Sequence, residues 1–379
     1  MLLNKCLLFV VNDSDFLISH RLEVCLKAKH EGCIVHVICP KKPSASRLLD
    51  LGFNVHFVEF GRNQIKPFSE LKIIFQLILL FRQIRPNLVH LITIKPYLYG
   101  GIVARITKVP SVVSAVAGLG ILFSSAELKY RLIRLIVYPL FKIAFGHKSQ
   151  IVIFQNSTDR QILVAWKVLL AFKARIIRGS GVKLSSYPVL PEPKSYPPVI
   201  SFAARLLKDK GVETLVDASR LLKSKKINVH IWLIGEVDPG NNNSVTQQQL
   251  RDWENEGLIT PFGFRADVAD LFSKSNIITL PSFYGEGLPK VLLEAAACGR
   301  AVITTDHPGC RDAVELDTGI LVPIRDHVAL AEAIQDLVQN PKKRQRMGVA
   351  GRRLAEQEFA VEMVVASHVR IYQELLSEA

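Results

Sequence analysis

Two glutamates eight positions apart stand in one segment of the C-terminal half, residues 280–294. An apolar run ends at Leu280, a glycine-containing loop follows, and Pro289 suits the first turn of a helix because its missing N–H would have no partner there. A helix that begins here directs backbone N–H groups and the positive end of its dipole at the loop, which favours a phosphate group. Glu286 could then hold sugar hydroxyls, and Glu294 could hold both hydroxyls of a ribose.

The same spacing also has a purely structural interpretation. Glu286 would be an acid at a helix N-terminus, and Glu294 would be an ordinary surface residue. Helical periodicity alone does not choose between the two interpretations.

The segment Glu286-Gly-x-Pro-x-Val-Leu-Leu-Glu294-Ala-x-Ala-Cys-Gly resembles the E-x7-E signature of glycosyltransferase family 4, the retaining enzymes of the GT-B fold. The resemblance extends across the chain. It implies that Glu286 orients the donor sugar and Glu294 holds the ribose, with Gly287, Leu288 and Pro289 forming the donor-binding turn between them.

Further donor-side positions follow from this resemblance. Residues 201–211 are similar to the family's Arg…Lys-Gly segment, which assigns Arg205 and Lys210 to the donor diphosphate and, with Glu286, to catalysis. Two fixed cations suit that task because they neutralise phosphate oxygens. Gly235 resembles the small residue that lets a nucleotide approach the sheet. Arg265 lies in a stretch, residues 263–272, that resembles the lining of the base pocket.

Shorter segments of the N-terminal half, residues 19–22, 117–120, 154–156 and 179–182, resemble bacterial enzymes that extend undecaprenyl-diphosphate-linked sugars. Examples are the N-acetylgalactosaminyltransferases of glycan and O-antigen assembly. The resemblance implies an acceptor side in this half. The candidate residues there are Asn12, His20, His90, Lys95 and Gly118.

Two departures from the family pattern concern this acceptor side. Ala117 stands where many members have a histidine, and residues 12–16 replace the usual Gly-Gly loop after the first strand. His90 or Lys95 could take over the role of the missing histidine. A histidine in or beside a strand is, however, more often a structural hydrogen-bonding group.

Asp13-Ser14-Asp15 matches the D-x-D metal motif of the other, GT-A class of glycosyltransferases. There the two acids hold a divalent cation on the donor diphosphate. Here the motif follows the first predicted strand, in the half that should receive the acceptor. A helix dipole with Arg205 and Lys210 could neutralise the diphosphate instead. We therefore expect no metal and no cofactor, the nucleotide sugar being a co-substrate.

The positive charge of the chain belongs to its N-terminal half. The whole chain carries +14, but residues 1–190 contain 26 Lys and Arg against 9 Asp and Glu, whereas the remainder has 22 against 25. Over residues 129–142 the basic side chains alternate with apolar ones, which is typical of an amphipathic face at an anionic membrane surface rather than of a nucleic-acid patch. A basic exterior without a specific partner remains the alternative.

No segment offers the ~20 uncharged apolar residues of a transmembrane helix. The N-terminus resembles a first buried strand rather than a signal peptide. The six cysteines show no C-x-x-C spacing, which indicates core thiols in a reducing compartment. The expected location is the cytoplasm, with peripheral association with the inner face of the inner membrane.

Strand and helix patterns alternate in both halves, which predicts an α/β protein with two Rossmann-like parallel-sheet domains facing across a cleft, the GT-B architecture. The expected domains are an acceptor domain at residues 1–184 and a nucleotide-sugar domain at 199–360. A linker with five prolines, residues 185–198, separates them. Residues 361–379 should form a helix that returns to the N-terminal domain.

The predicted function is transfer of a sugar, such as an N-acetylhexosamine, from a nucleotide diphosphate donor, UDP-linked, to a polyprenyl-diphosphate-linked sugar. Two alternatives remain at this stage. One is a UDP-sugar epimerase of the same fold, and the other is a non-enzymatic protein that binds a membrane surface through its basic half.

Overall fold

The computed structural model describes residues 2–61, 67–120, 123, 127–194 and 196–377. The chain divides into two compact units, one made of Met1–Ser180 with Glu362–Ala379 and the other of Gly181–Val361. Each unit has its own hydrophobic core.

Unit 1 is built on a parallel sheet that has seven strands in the described part of the chain, in the order β3-β2-β1-β4-β5-β6-β7. The strands are β1 (Cys6–Val11), β2 (Ile34–Cys39), β3 (Asn54–Phe57), β4 (Leu88–Ile92), β5 (Ser111–Val116), β6 (Gln150–Phe154) and β7 (Ala174–Ile176). All residues of β4, β5 and β6 are buried, which is why these strands are mainly runs of apolar and small residues rather than alternating ones; His90 and Gln150 are their larger polar residues.

The helices of unit 1 fall on the two faces of this sheet. They are α1 (Ser14–His20), α2 (Leu22–His30), α3 (Ala45–Asp50), α4 (Pro67–Ile84), α5 (Gly101–Ile106), α6 (Leu128–Ala144) and α7 (Ser157–Ala165). The chain winds from β1 outward to β3 and then from β4 outward to β7. Because parallel crossovers are right-handed, α1 to α3 cover one face and α4 to α7 the other.

Unit 2 repeats this plan with a parallel sheet of six strands among the described residues, in the order β10-β9-β8-β11-β12-β13. The strands are β8 (Val199–Ala203), β9 (His230–Ile234), β10 (Thr260–Gly263), β11 (Ile277–Leu280), β12 (Ala301–Thr305) and β13 (Gly319–Val322). Its helices are α8 (Val212–Ser224), α9 (Gln247–Asn255), α10 (Val268–Ser273), α11 (Lys290–Ala297), α12 (His327–Gln339) and α13 (Pro341–Leu354). The prediction of two Rossmann-like parallel-sheet domains is confirmed.

The last helix, α14 (Val361–Ser377), packs in unit 1, where Tyr372 is fully buried against Phe9 of β1. The proline-rich segment packs on unit 2: Glu192 forms a buried ion pair with Arg344, and Arg300 donates a 3.1 Å hydrogen bond to the carbonyl of Leu190. Among the described residues no helix combines the length and the hydropathy that a membrane span requires.

Candidate active site

The donor-side residues predicted from the sequence follow the strands of unit 2 at their carboxyl ends. Arg205 follows β8, Gly235 follows β9, and residues 281–286 follow β11. In a parallel sheet these ends meet at one edge, which is where open α/β sheets bind their ligands.

A glycine brings the loop after β8 against the loop after β11. Gly211 has a φ of +83°, and a Cβ at this position would lie 2.1 Å from the carbonyl oxygen of Pro281. Only glycine tolerates both the left-handed backbone and this close approach. The short turn that ends at Lys210 therefore lies directly against the loop after β11.

Lys210 and Glu286 form a partly buried ion pair between Nζ and Oε1, with 13% and 12% of their side chains exposed. Ser282 Oγ lies 3.1 Å from the same carboxylate oxygen, and the Lys210 ammonium lies 5.2 Å from the centre of the Tyr284 ring. The structure thus brings together two of the three residues that the sequence assigned to catalysis.

The second glutamate lies inside the following helix. Glu294 is on α11 with 14% of its side chain exposed, so it is not an ordinary surface residue. Its Oε1 accepts a 2.7 Å hydrogen bond from Tyr187 Oη and lies 3.6 Å from Lys290 Nζ. Burial raises the pKa of Glu294, while the Lys290 ammonium and the Tyr187 hydroxyl act in the opposite direction.

The turn between the two glutamates packs against the loop after β12. Gly287, Leu288 and Pro289 are buried, and Pro289 is the N-cap of α11. Gly309 has a φ of +84°, and a Cβ there would lie 2.5 Å from the carbonyl oxygen of Gly287. The backbone at Gly309 therefore packs directly against the turn, and only glycine can occupy that position.

Arg205 stands apart from the Lys210–Glu286 pair. Its side chain is 58% exposed, and Nη1 lies 3.3 Å from Asp238 Oδ2. An exposed ion pair of this kind contributes little to stability, so the guanidinium can change partner at low cost.

A cavity of about 350 Å³ lies beside Gly235, lined also by Glu236, Val237, Gln247, Leu250 and Gly263. Gly235 has a φ of +147°, and a Cβ there would lie 1.9 Å from the carbonyl oxygen of Ala204. Its N–H donates a 2.8 Å hydrogen bond to the carbonyl of Gly263. Arg265 lies two residues further on, forms an ion pair with Asp267 and does not line this cavity.

Sequence reasoning missed three side chains of this site, namely Tyr187, Ser282 and Asp209. Asp209 Oδ1 is buried and has no hydrogen-bond partner within the described part of the chain. Burial raises the pKa of Asp209, the Lys210 ammonium opposes the shift, and Glu286 adds to it. Asp209 adjoins Lys210, and Ser282 lies in the loop before Glu286, whereas Tyr187 lies in the proline-rich segment that the sequence predicts to be a linker.

Three of the acceptor-side candidates, Asn12, Lys95 and Gly118, follow the neighbouring strands β1, β4 and β5 at their carboxyl ends. Asn12 Oδ1 accepts a 2.7 Å hydrogen bond from Thr93 Oγ1 at the carboxyl ends of β1 and β4. His20 stacks on Phe16 with ring centres 4.1 Å apart. Lys95 Nζ lies 2.8 Å from Glu70 Oε1. Gly118 has a φ of +111° in the segment after β5.

His90 lies in the core of unit 1. It is fully buried on β4, and its Nδ1 lies 2.6 Å from Tyr372 Oη of α14. Burial lowers the pKa of His90 well below its ordinary value, and His368 and Arg21 add to the effect. The structure thus places His90 where it packs α14 onto the sheet and not on an accessible surface.

Asp13 and Asp15 both contact one cation. Lys42 Nζ lies 2.7 Å from Asp13 Oδ1 and 2.9 Å from Asp15 Oδ2. Asp13 also caps α1 by accepting from the Asp15 N–H. Within the described ranges no group of three or more histidine, cysteine, aspartate or glutamate side chains could hold a metal ion.

Family models match both units. Residues 5–156 match the model described as glycosyl transferase 4-like, and residues 191–354 match the model described as glycosyl transferases group 1.

Individual proteins extend this similarity over most of the chain. The N,N'-diacetylbacillosaminyl-diphospho-undecaprenol alpha-1,3-N-acetylgalactosaminyltransferase of Campylobacter jejuni is 28% identical over 323 residues, 82% of this chain and 83% of that protein. The capsular polysaccharide biosynthesis glycosyltransferase CapM of Staphylococcus aureus is 26% identical over 336 residues, 86% of each chain. The structure of Alr3699/HepE of Anabaena in complex with UDP and glucose has a TM-score of 0.77 at 17% identity and covers 97% of this chain and 99% of that one. This last likeness shows the fold.

Proposed function

This chain is a glycosyltransferase whose units match the glycosyl transferase 4-like and group 1 families, and from that premise we propose its reaction. It moves a sugar from a nucleotide diphosphate donor, UDP-linked, to a sugar carried on polyprenyl diphosphate. The anomeric configuration of the transferred sugar is retained. The observation that carries the donor side of this proposal is the Lys210–Glu286 ion pair beside Ser282, in the loop that leads into the helix of Glu294.

The Lys210–Glu286 ion pair implies that diphosphate binding comes first and that Glu286 then contacts the sugar. A diphosphate is a stronger partner for Lys210 than one carboxylate oxygen because it carries more negative charge. When the diphosphate takes Lys210, the Glu286 carboxylate is released to accept hydrogen bonds from the sugar hydroxyls. Arg205 exchanges Asp238 for the same diphosphate, since their ion pair is exposed.

Glu294 holds the ribose, and the cavity beside Gly235 takes the base. As the glycosidic bond breaks, negative charge develops on the leaving phosphate oxygen, and the fixed charges of Lys210 and Arg205 stabilise it. The acceptor hydroxyl attacks from the face that the diphosphate leaves, and the leaving oxygen can accept its proton there. These cations neutralise the diphosphate without a metal ion.

The proposed acceptor follows from the similarity to the Campylobacter jejuni relative, which is named for the transfer of N-acetylgalactosamine to a sugar on diphospho-undecaprenol. An N-acetylhexosamine is accordingly the first donor sugar to test. Such an acceptor is lipid-borne, so the enzyme must work at a membrane surface, on the cytoplasmic side where nucleotide sugars are made. Cell-surface glycan assembly, such as that of an O-antigen, is the biosynthetic setting that fits this reaction.

The surface of α6 supports the membrane part of the proposal. Leu128, Leu132, Leu135 and Ile136 are 69%, 53%, 72% and 70% exposed, at a spacing that places them on one side of the helix. The exposed cations Lys129 and Arg131 stand on the same helix. A helix with exposed leucines and cations is typical of one that lies in the interface of an anionic membrane.

The helix α4 has a similar exposed face. Phe68, Leu71, Phe75 and Leu79 are at least half exposed. Helix α5 packs against both α4 and α6, on the same face of the sheet. The two exposed faces thus belong to one side of unit 1.

A donor screen tests the proposal. The protein is incubated with a panel of UDP- and GDP-sugars and polyprenyl-diphosphate-linked sugars, and products are identified by mass spectrometry and their anomeric configuration by NMR. We expect transfer from a UDP-sugar, with retention and without loss of rate in EDTA. Absence of transfer from every donor, or epimerised UDP-sugar formed without any acceptor, would contradict the proposal.

A further inference from the structure

A second cavity, of about 570 Å³, lies in unit 1 and is lined by four cations, Arg105, Lys142, Lys167 and Lys173, with Phe145 and Leu169 among its apolar residues. We call it the basic groove. Its residues belong to the segments at the ends of α5, α6 and α7, which lead into the first residues of β5, β6 and β7. The basic groove therefore lies at the amino edge of the sheet, opposite the edge where Asn12 and Thr93 meet.

Two cations of the basic groove donate hydrogen bonds to backbone carbonyls rather than to carboxylates. Lys173 Nζ donates to the carbonyl of His147 at 2.5 Å, and Arg105 Nη1 donates to the carbonyl of Ile143 at 3.2 Å. Among the described residues, no carboxylate forms an ion pair with any of the four, and no acid lines the cavity. Burial and the neighbouring Arg105 charge lower the pKa of Lys173. Clustered like charges repel one another, so an anion bound among them would stabilise the cluster.

The rim of the basic groove is apolar. Ile143 and Leu170 line the cavity and are 44% and 59% exposed, and Phe172, two residues beyond Leu170, is 69% exposed. Ile143 also belongs to α6, so the rim continues into the exposed apolar face of that helix. A free phosphate would leave these rim residues in water, whereas a phosphate that carries hydrocarbon chains would cover them.

We propose that the basic groove binds the headgroup of an anionic glycerophospholipid. The phosphate lies among Arg105, Lys142 and Lys167, and the acyl chains run along Ile143 and Leu170. This inference rests on the proposed function, which brings the enzyme to the membrane that carries its acceptor. The site is separate from that of the acceptor diphosphate, since the reacting end of the acceptor belongs at the carboxyl edge of the sheet.

A lipid that is dissolved as single molecules distinguishes binding at a defined site from general attraction of the protein to a charged membrane surface. Dihexanoyl phosphatidylglycerol, kept below its micelle concentration, is titrated into the full-length protein by calorimetry, with dihexanoyl phosphatidylcholine as the neutral comparison. We expect saturable binding of the first lipid only. The double variant Lys142→Glu/Lys167→Glu should bind it at least about 30-fold more weakly, because one lysine near an anionic lipid contributes about a fivefold gain.

The matched control is Lys27→Glu/Arg47→Glu, which makes the same change in net charge on α2 and α3, on the other face of the sheet. The control should keep the wild-type affinity. Both double variants should remain folded in the assay, because all four side chains reach the solvent and Lys27→Glu gives up only a solvent-exposed ion pair with Glu31. Equal binding by the groove variant and wild type, or an equal loss in the control, would overturn the proposal. Binding of single-stranded RNA in place of the lipid, lost in the groove variant alone, would also overturn it.

The lipid-binding measurement can be interpreted whether or not the proposed sugar transfer is observed. Lipid binding is measured without donor or acceptor, so it can succeed where transfer fails. With a short-chain, water-soluble acceptor the groove variant should keep the wild-type turnover. With an acceptor embedded in phosphatidylglycerol vesicles its turnover should fall in proportion to the bound fraction.

Discussion

Tyr187 Oη donates a 2.7 Å hydrogen bond to Oε1 of Glu294, which joins the proline-rich segment before β8 to the helix that carries the donor site. Arg352 Nη1 holds the carbonyl of Tyr187 at 2.9 Å and that of Ala297 by a second bond. The hydroxyl of Tyr187 therefore reaches Glu294 from a fixed backbone. Tyr187 is a positioning residue for the carboxylate that we assign to the ribose.

Tyr187→Phe should weaken the binding of UDP about tenfold, because a hydrogen bond to a charged group contributes about 1.5 kcal/mol or more. The acid limb of the pH profile of UDP affinity should also move to higher pH, since the variant loses a bond that favours the ionised form of Glu294. Calorimetry with UDP between pH 5 and 8 checks both effects. Tyr196→Phe is the control in the same segment, where the tyrosine is 75% exposed. An unchanged pH profile in Tyr187→Phe would remove the positioning role.

Glu294→Gln should raise the thermal stability of the free protein at neutral pH while it weakens UDP binding. Burial raises the pKa of Glu294, so the folded state holds its proton more tightly than the unfolded state does. That contribution to stability is complete below the unfolded pKa and is lost as the pH rises through the folded pKa. The neutral amide avoids the loss. A lower unfolding temperature at neutral pH, or unchanged UDP affinity, would contradict this account of Glu294.

Gly235→Ala should damage the donor site and the stability of unit 2 together. The new Cβ would lie 1.9 Å from the carbonyl oxygen of Ala204, and the φ of +147° is one that alanine rarely adopts. We expect a loss of about 2 kcal/mol or more in the free energy of unfolding and a weaker affinity for UDP. Urea unfolding and calorimetry measure the two. Gly240→Ala is the control, because its Cβ would have no atom closer than 3.7 Å.

His90→Ala should destabilise the protein without a specific effect on the acceptor. The side chain is fully buried and lies 2.6 Å from the Tyr372 hydroxyl, so its removal leaves a cavity and an unpaired polar group. A loss of about 3 kcal/mol is expected in urea unfolding. Steady-state kinetics at a temperature where the variant is folded should give a wild-type KM for the acceptor. A raised acceptor KM in a fully folded variant would restore His90 to the acceptor site.

Sequence patterns predicted the two parallel sheets because buried parallel strands are short apolar runs, and such runs alternate with helical periods in both halves. The resemblance to glycosyltransferase family 4 assigned Lys210 and Glu286 to one donor site, and the structure brings them together because both follow strands of one sheet at its carboxyl edge. Tyr187 lies outside the sequence motifs, so its place in the site could not be predicted from them. Tyr187 reaches Glu294 only because Arg352, Arg300 and Arg344 hold the proline-rich segment against unit 2. Long-range contacts of that kind leave no local pattern.

The burial of His90 under α14 also depends on a long-range contact that the local sequence does not reveal. Its place on β4 was evident, but a strand buried on both faces gives no sign of which residue lies under α14. The contact between His90 and Tyr372 joins positions 282 residues apart. The sequence pattern therefore left open whether His90 was structural or exposed to an acceptor.

Turnover of Lys210→Ala, measured beside that of Lys208→Ala, tests most directly whether Lys210 exchanges Glu286 for the donor diphosphate. Lys208 is the neighbouring cation, 43% exposed and 3.7 Å from Glu213. With a UDP-sugar and a lipid-linked acceptor, Lys210→Ala should lower kcat/KM about 100-fold or more, because one preorganised group that stabilises developing charge contributes that much. Lys208→Ala should stay within about twofold of the wild type, as expected for an exposed ion pair. Near-normal turnover in a folded Lys210→Ala variant, or an equal loss in both variants, would contradict the account.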